Sequence, residues 1–170
     1  MPTPDLLPVA VVSSRVPVPL PEAWARFVPI DLTALFTGMG PLPAVVNVHG
    51  QTGSWDDVGQ SRKVALSDGT EVTEAITFVD LQQGNLARFG YTVSGFGGAF
   101  GWLTSEAKGF WVFQEVDGQT EIAWRYGFRA ASVLARPVMA LILHLLWRPY
   151  MKRALARTVE ILQANEKGSG

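Results

Sequence analysis

The chain of 170 residues contains no cysteine and only two histidines. The lack of thiols excludes disulfides, cysteine nucleophiles, and zinc or iron–sulfur sites that depend on cysteine. A chain of this kind is compatible with a reducing compartment, and we expect a cytoplasmic protein. The N-terminus has no basic segment, and Pro8 interrupts its apolar run, so we expect no secretory signal.

Charge is also scarce, because Asp, Glu, Lys and Arg make up 17% of the chain and the formal net charge is −1. Such a chain has no overall field that attracts a polyanion, and we predict that nucleic acid is not a partner. Hydrophobic residues account for 48%, which is typical of a globular protein. The length fits one domain, which we place at residues 1–165, followed by a flexible tail at residues 166–170.

No hydrophobic run is long enough to cross a membrane. The best candidate, residues 133–147, is 15 residues long and contains Arg136, Pro137 and His144. A membrane-spanning helix needs about 20 apolar residues with few or no charges. This segment is therefore predicted to be a buried or interfacial helix, with contact to a membrane surface as an alternative but no span.

Runs of β-branched and aromatic residues, separated by turn-forming residues, predict about seven strands. The first covers residues 9–16 and is followed by two short helices at residues 21–28 and 31–36, the second with Asp31 as its N-cap. Residues 37–44 are predicted to form a loop. Six strands then follow, joined by short antiparallel turns, at residues 45–51, 60–66, 70–80, 86–94, 106–115 and 119–129.

Alternation along these strands predicts which side chains share the inward face. Glu74 is the only charged residue placed on that face. Counting outward from the turn Ser67-Asp68-Gly69 places Arg62 directly across from it. The other inward residues are predicted to be Val72, Ile76, Phe78, Phe89, Tyr91, Val93, Trp111, Phe113, Ile122, Trp124, Tyr126 and Phe128.

The C-terminal segment is predicted to be one long helix with a kink near Arg148, because Pro149 cannot donate a backbone hydrogen bond. Its main apolar stripe, which we expect to face the sheet, consists of Val138, Leu141, Ile142, Leu145 and Leu146. Three further apolar residues widen the arc beyond what one sheet can cover, and exposed apolar patches often mark interfaces. We therefore expect a homodimer formed through Met139, Leu143 or Trp147.

Several short motifs carry a family resemblance. They are the segment from Trp55 to Arg62 (WDDVGQSR), the turn Leu66-Ser67-Asp68-Gly69, Glu74, Tyr91, Trp111 and the triplet Trp124-Arg125-Tyr126. With the order of the elements, these motifs resemble the SRPBCC superfamily, and within it the polyketide cyclase/dehydrase-like branch. The superfamily also includes START-type lipid-transfer domains and pollen-allergen-type binders. The resemblance implies an α+β helix-grip fold, in which a curved antiparallel sheet wraps around the C-terminal helix and encloses a cavity.

Among the ionisable residues, Glu74 is the best candidate for acid–base chemistry, because burial in a dry cavity raises a carboxyl pKa. The alternative, which we favour, is a structural ion pair between Glu74 and Arg62. His144 is expected at a solvent-exposed edge of the terminal helix, and His49 has no nearby carboxylate pattern. Two histidines without such a pattern do not predict a metal site. No metal and no other cofactor is expected.

The predicted ligand contacts come from the inward aromatic residues and the helix stripe. They are Phe78, Tyr91, Trp111, Trp124, Tyr126, Leu141 and Leu145. The glycine-rich run at residues 95–101 is expected to be a mobile hairpin tip, because it joins two strands and not a strand to a helix as a dinucleotide-binding loop does. It is either a passive loop or a gate over the cavity, formed by Phe96, Phe100 and Trp102.

Three functions fit these patterns. The leading prediction is a soluble protein that binds a small hydrophobic ligand, such as a lipid, a polyketide or an aromatic metabolite. The second is an enzyme of the cyclase or dehydratase type that uses Glu74 and a tyrosine hydroxyl without metal. The third is a membrane-surface or protein-interaction module built on the terminal helix, with Arg148, Lys152, Arg153 and Arg157 as its basic residues.

Overall fold

The computed structural model describes residues 9–82 and 85–164. The predicted turn residues Gln83 and Gly84 and the predicted tail lie outside this part of the chain. Eight strands are present within it, and all neighbouring pairs are antiparallel. They are β1 (Val9–Val16), β2 (Thr37–Met39), β3 (Leu42–His49), β4 (Ser61–Leu66), β5 (Glu71–Gln82), β6 (Leu86–Ser94), β7 (Thr104–Val116) and β8 (Gln119–Ala130).

The helices lie between β1 and β2, between β6 and β7, and after β8. They are α1 (Leu20–Phe27), α2 (Leu32–Leu35), α3 (Phe100–Leu103), α4 (Ala135–Ile142) and α5 (Arg148–Ala164), with a π-helical turn at Leu143–Trp147 that joins α4 to α5. Asp31 caps α2 as predicted, because its carboxylate accepts a hydrogen bond from the backbone N–H of Thr33.

The strands form one curled sheet in the order β1-β8-β7-β6-β5-β4-β3-β2. Tight turns set this meander. Between β7 and β8, Asp117 and Gly118 have φ angles of 53° and 75°, which is the pattern of a type I′ hairpin. The first strand, β1, pairs with the last strand, β8, and so lies at one edge of the sheet. Helix α5 packs against β1, α1 and α2, so the sheet curls around the C-terminal helix. The predicted α+β helix-grip fold is confirmed.

The strand count differs from the prediction at residues 37–44. This segment, predicted to be a loop, contains the short strand β2 and the start of β3, with Thr37 opposite Ala44 and Met39 opposite Leu42. Gly38 and Gly40 adopt positive φ angles there, so the glycines that suggested a loop instead make a tight hairpin. The sheet therefore has eight strands and not about seven.

The terminal helix is rotated relative to the prediction. Met139 and Leu143 are fully buried in the core, whereas Val138, Leu141 and Leu145 face outward. An apolar arc wider than half the helix has two plausible inward directions, and only tertiary packing selects one of them. The basis for the predicted dimer contact through Met139 and Leu143 is therefore wrong.

Candidate functional site

A partly open cavity lies between the concave face of the sheet and the helices, with a volume of about 240 Å³. Its walls come from the six strands β3 to β8, from the segment between β6 and β7 that includes α3, from α1 and α2, and from the terminal helix. Aromatic residues dominate the lining: Phe27, Phe36, Trp55, Phe89, Tyr91, Phe96, Phe100, Trp111, Trp124, Tyr126, Phe128, Trp147 and Tyr150. The site is therefore an apolar chamber with flat, rigid walls.

Two tryptophans on adjacent strands form the floor of this chamber. Trp111 and Trp124 are direct cross-strand partners, and their rings stack with centroids 4.5 Å apart and planes 7° apart. The indole Nε1 of Trp124 donates a hydrogen bond of 3.2 Å to the hydroxyl of Tyr91 on β6. Stacked aromatic pairs add about 0.5–1.5 kcal/mol to the stabilisation from burial. The floor is therefore held in one arrangement.

A glycine makes room for Tyr91. Gly109 on β7 is directly opposite Tyr91, and a Cβ atom at Gly109 would lie 2.1 Å from the Tyr91 ring. Only a residue without a side chain lets this ring lie across the strand. The position of the Tyr91 hydroxyl beside Trp124 thus depends on Gly109.

The polar end of the chamber contains a buried ion pair. Arg62 on β4 and Glu74 on β5 are register partners, as predicted, and Arg62 Nε donates a hydrogen bond of 2.8 Å to Glu74 Oε2. The two side chains are only 8% and 14% exposed. The guanidinium also lies 3.8 Å above the ring of Trp55, a cation–π contact. Trp55 has a φ angle of 64°, which is uncommon for a bulky residue and which this packing holds in place.

Two of the three tyrosines that line the cavity, Tyr91 and Tyr126, are buried neutral hydrogen-bonding groups. Burial raises the pKa of Tyr91 above its ordinary value of 10.0, and the Glu74 charge adds to this effect. Burial also raises the pKa of Tyr126 well above its ordinary value, with smaller contributions from Tyr91 and Glu74. Both tyrosines line the cavity, so their hydroxyls can donate hydrogen bonds to a molecule bound there.

The helical wall depends on the π-helical turn. The backbone N–H of Arg148 bonds to the carbonyl of Leu143, five residues earlier. A π turn contains more residues than an α-helical turn, so residues five apart lie closer to the same side than in an α-helix. Ile142 and Trp147, which are five residues apart, both line the cavity. The irregularity predicted at Pro149 is thus a π-helical turn that ends just before it. Pro149 itself continues into α5.

Three loops also contribute to the lining of the cavity. They provide Leu42 and Pro43 of the β2–β3 hairpin, Asp68 and Thr70 of the β4–β5 turn, and Gly97 of the loop before α3. Tyr150 holds this region to the terminal helix. Its hydroxyl donates to the carbonyl of Pro43 and accepts from the N–H of Gly38, both at 2.9 Å.

The structure brings together four of the seven predicted ligand contacts. Tyr91, Trp111, Trp124 and Tyr126 line the cavity, as does Glu74. The predicted gate residues Phe96 and Phe100 also line it and contact Phe128 with ring centroids 6.4 and 5.6 Å away. Their roles in binding or gating stay predictions.

Phe78 was placed on the wrong face. A β-bulge between Ile76 and Phe78 inserts Thr77 into β5, so the alternation reverses beyond that point. Phe78 is exposed on the outer face and packs against Phe110, with ring centroids 5.7 Å apart. It does not line the cavity.

Leu141 and Leu145 were also placed wrongly, and the predicted gate residue Trp102 is not among the residues that line the cavity. All three are exposed, because the terminal helix is rotated and because Trp102 points outward from the short helix α3. Ile142, which neighbours Leu141, lines the cavity instead.

Several lining residues escaped the sequence analysis. Phe27 and Phe36 lie at the ends of α1 and α2, Trp55 lies in a loop, and Ile142 and Trp147 lie on the helix. The motif that carries the family resemblance contains Trp55 and was a usable signal. Strand alternation cannot find residues in loops and short helices.

Neither histidine is among the residues that line the cavity. His144 is solvent-exposed, as predicted. His49 is also exposed, and its Nε2 lies 2.6 Å from Glu71 Oε2, a carboxylate that the sequence analysis missed. Within residues 9–82 and 85–164, no group of three or more His, Cys, Asp or Glu side chains is placed to hold a metal ion.

The basic residues of α5 do not act as one surface. Arg153 and Arg157 donate hydrogen bonds to the carbonyls of Gly38 and Ala34, so they bind the helix to the hairpin and to α2. Arg148 and Lys152 are exposed. In the part of the chain that the structure describes, no helix is long and apolar enough to cross a membrane.

Comparison with known proteins identifies the fold. No protein-family model matches the chain, and no curated protein matches it. A hypothetical protein from Helicobacter pylori, jhp0584, superimposes with a TM-score of 0.69 and 10% identity over 92% of this chain and 88% of that one. Ara h 8.0201 superimposes with a TM-score of 0.62 and 17% identity, over 91% and 97% of the two chains. A point mutant of norcoclaurine synthase from Thalictrum flavum, in complex with a transition-state analogue, has a TM-score of 0.64 and 16% identity over 94% and 96%.

At these identities the likeness shows the fold alone. The chain has the helix-grip fold that Ara h 8.0201 and norcoclaurine synthase share. The resemblance stated from sequence motifs is confirmed at this level. A shared architecture does not carry a shared function, so the function of this chain has to be argued from the contents of its cavity.

Proposed function

We propose that the protein binds one small hydrophobic molecule in the cavity between the sheet and the terminal helix. The observation that supports this most strongly is the chamber itself. Aromatic rings line it, but they leave its volume unfilled. Ligand sites are typically concave, mostly apolar and equipped with a few polar groups that orient the ligand. Here those groups are Arg62, Glu74, Tyr91 and Tyr126.

The walls favour a flat ligand of modest size. An apolar cavity of about 150 Å³ is sufficient for benzene, and this one is larger, at about 240 Å³. We propose an aromatic metabolite or a polyketide of one or two rings, or a short acyl chain, with one oxygen near the Tyr126 hydroxyl. Aromatic rings stack well on the pair of Trp111 and Trp124.

A matched pair of substitutions tests the proposal. Ile142 lines the cavity, and the adjacent Leu141 points to solvent. Titration with anilinonaphthalene sulfonate should give saturable binding with one site. Ile142→Trp, which fills the chamber, should weaken binding by about tenfold or more, whereas Leu141→Trp should leave it unchanged. Equal affinities for the two variants would contradict the proposal.

A second candidate function is catalysis on such a ligand, as in the polyketide cyclase-like branch. The observation in its favour is that the Glu74 carboxylate and the hydroxyls of Tyr91 and Tyr126 line one chamber. Because burial raises the pKa of both tyrosines, they would serve as neutral donors and Glu74 as the proton acceptor. Turnover of an aromatic polyketide, measured by mass spectrometry and abolished by Glu74→Gln without loss of stability, would favour the enzyme over the binder.

A cytoplasmic location stays a prediction. It fits a protein without cysteine that retains a small hydrophobic metabolite. Native mass spectrometry of freshly purified protein tests the binder directly, because a retained ligand adds its mass to that of the chain.

A further inference from the structure

One side of the molecule has a cluster of exposed apolar side chains. We define the α3–α4 patch as Trp102, Val133, Leu134, Val138, Leu141 and Leu145, all of which are exposed. Helix α3 packs against α4, so Trp102 and the residues of α4 lie on neighbouring elements. Single exposed apolar residues are ordinary on a protein surface, but a contiguous group of this kind marks an interaction site.

The charges of residues 122–159, which contain all of the patch except Trp102, have one sign. Arg136, Arg148 and Lys152 are exposed on the same helical segment. Residues 122–159 contain half of the chain's 14 Lys and Arg residues and no Asp or Glu, although the whole chain has a net charge of −1. Glu106, at the start of β7, is paired with Arg129. An apolar stripe with flanking cations is complementary to an anionic lipid surface.

The patch is also next to the cavity. Phe100 of α3 lines the cavity while Trp102, two residues later, is exposed. On α4, Ile142 lines the cavity while its neighbour Leu141 is exposed. The same two helices therefore form one wall of the chamber and carry the exposed apolar surface. A surface that contacts the patch would lie one helix away from the ligand.

A second copy of the chain fits this surface less well. A two-fold interface brings the same patch of both copies together. Such an interface would bring Arg136, Arg148 and Lys152 of one copy near the same residues of the other copy. Residues 122–159 contain no carboxylate that could pair with them. Like charges held together in an interface are destabilising.

We propose that the α3–α4 patch docks on an anionic lipid membrane, so that the hydrophobic ligand passes between the bilayer and the cavity at this wall. The passage of the ligand between the bilayer and the cavity rests on the proposed binding function, whereas the docking on the membrane does not. No covalent step is involved. The apolar side chains would enter the interface and the three cations would contact lipid phosphates.

Vesicle co-sedimentation tests the docking. The full chain should bind vesicles of phosphatidylcholine mixed with phosphatidylserine and should bind pure phosphatidylcholine vesicles weakly. Leu141→Glu should weaken binding by about tenfold or more. Leu81→Glu is the matched control, because Leu81 is 56% exposed on β5 and Leu141 is 60% exposed. It should leave binding unchanged.

The charge contribution has its own control. Arg136→Ala combined with Arg148→Ala should weaken binding to the anionic vesicles by about tenfold or more. Arg125→Ala, which removes an exposed cation from β8, should change it little. Binding that is insensitive to Leu141→Glu, or equal on both vesicle types, would overturn the proposal.

Two further results separate the possible explanations. Ile142→Trp should keep vesicle binding even if it loses the dye, because docking does not need an empty cavity. Light scattering should show a monomer. A dimer that Leu141→Glu dissociates and Leu81→Glu does not would assign the patch to a second copy and overturn the membrane proposal.

Discussion

The ion pair between Arg62 and Glu74 makes a quantitative prediction about stability. We consider the substitution Glu74→Gln, which preserves the shape of the side chain and an acceptor for Arg62 Nε but removes the negative charge. The Arg62 guanidinium then stays buried without a counter-charge. Loss of one partner from a buried pair costs about 3–5 kcal/mol. Because Gln retains an acceptor for Arg62, we expect Glu74→Gln to lower the free energy of unfolding by about 3 kcal/mol.

The molecule contains a matched control. Arg15 and Glu121 are also direct cross-strand partners, on β1 and β8, but their side chains are 57% and 43% exposed. An exposed pair of this kind contributes about 0.2–1 kcal/mol. Glu121→Gln should therefore change the free energy of unfolding by less than about 1 kcal/mol.

Urea denaturation of the two variants measures the difference. For a domain of this size, a decrease of about 3 kcal/mol in the free energy of unfolding corresponds to a fall in melting temperature of about 6–12 °C. The double variant Arg62→Met with Glu74→Leu should be more stable than the sum of its single variants predicts, because it leaves no unpaired charge. If Glu74→Gln and Glu121→Gln were equally stable, the reasoning about burial would be refuted. Dye binding by Glu74→Gln should survive, since apolar contacts dominate the cavity.

Three other predictions concern the aromatic residues. Gly109→Ala should lower the free energy of unfolding by about 1–3 kcal/mol and weaken dye binding, because its Cβ would collide with the Tyr91 ring; unchanged binding would contradict this. Above pH 10 the free energy of unfolding should fall as pH rises. The reason is that the pKa of Tyr91 and Tyr126 is raised in the folded protein but near 10.0 in the unfolded chain, so the unfolded chain loses these protons more readily. Urea titrations across this range should show a smaller fall for Tyr126→Phe. Phe78→Ala should leave dye affinity unchanged, whereas Phe89→Ala should reduce it; the reverse order would place the cavity on the other face.

Strand alternation predicted most of the sheet, including both tryptophans of the floor and the pairing of Arg62 with Glu74. It succeeded because a two-residue period is robust wherever a strand is regular and one face is buried. It failed at Phe78, since one inserted residue, Thr77, reverses the face of everything that follows. No feature of the sequence marked this bulge.

The helix was harder to predict for a different reason. Its apolar arc is so wide that either Leu141 or Met139 could point inward by pattern alone. Packing against the sheet buries Met139 and exposes Leu141. The π-helical turn then adds Ile142 and Trp147 to the cavity wall. Hydrophobic periodicity cannot detect such a turn, because it assumes a regular helix.

Nuclear magnetic resonance of the six tryptophan indole N–H groups tests the central claim most directly. Titration with anilinonaphthalene sulfonate should shift, at a stoichiometry of one, the four indole resonances of the cavity, which belong to Trp55, Trp111, Trp124 and Trp147. The resonance of the exposed Trp102 should stay in place. Shifts at Trp102 with no change at Trp111 and Trp124 would contradict binding in the cavity and place the ligand on the surface.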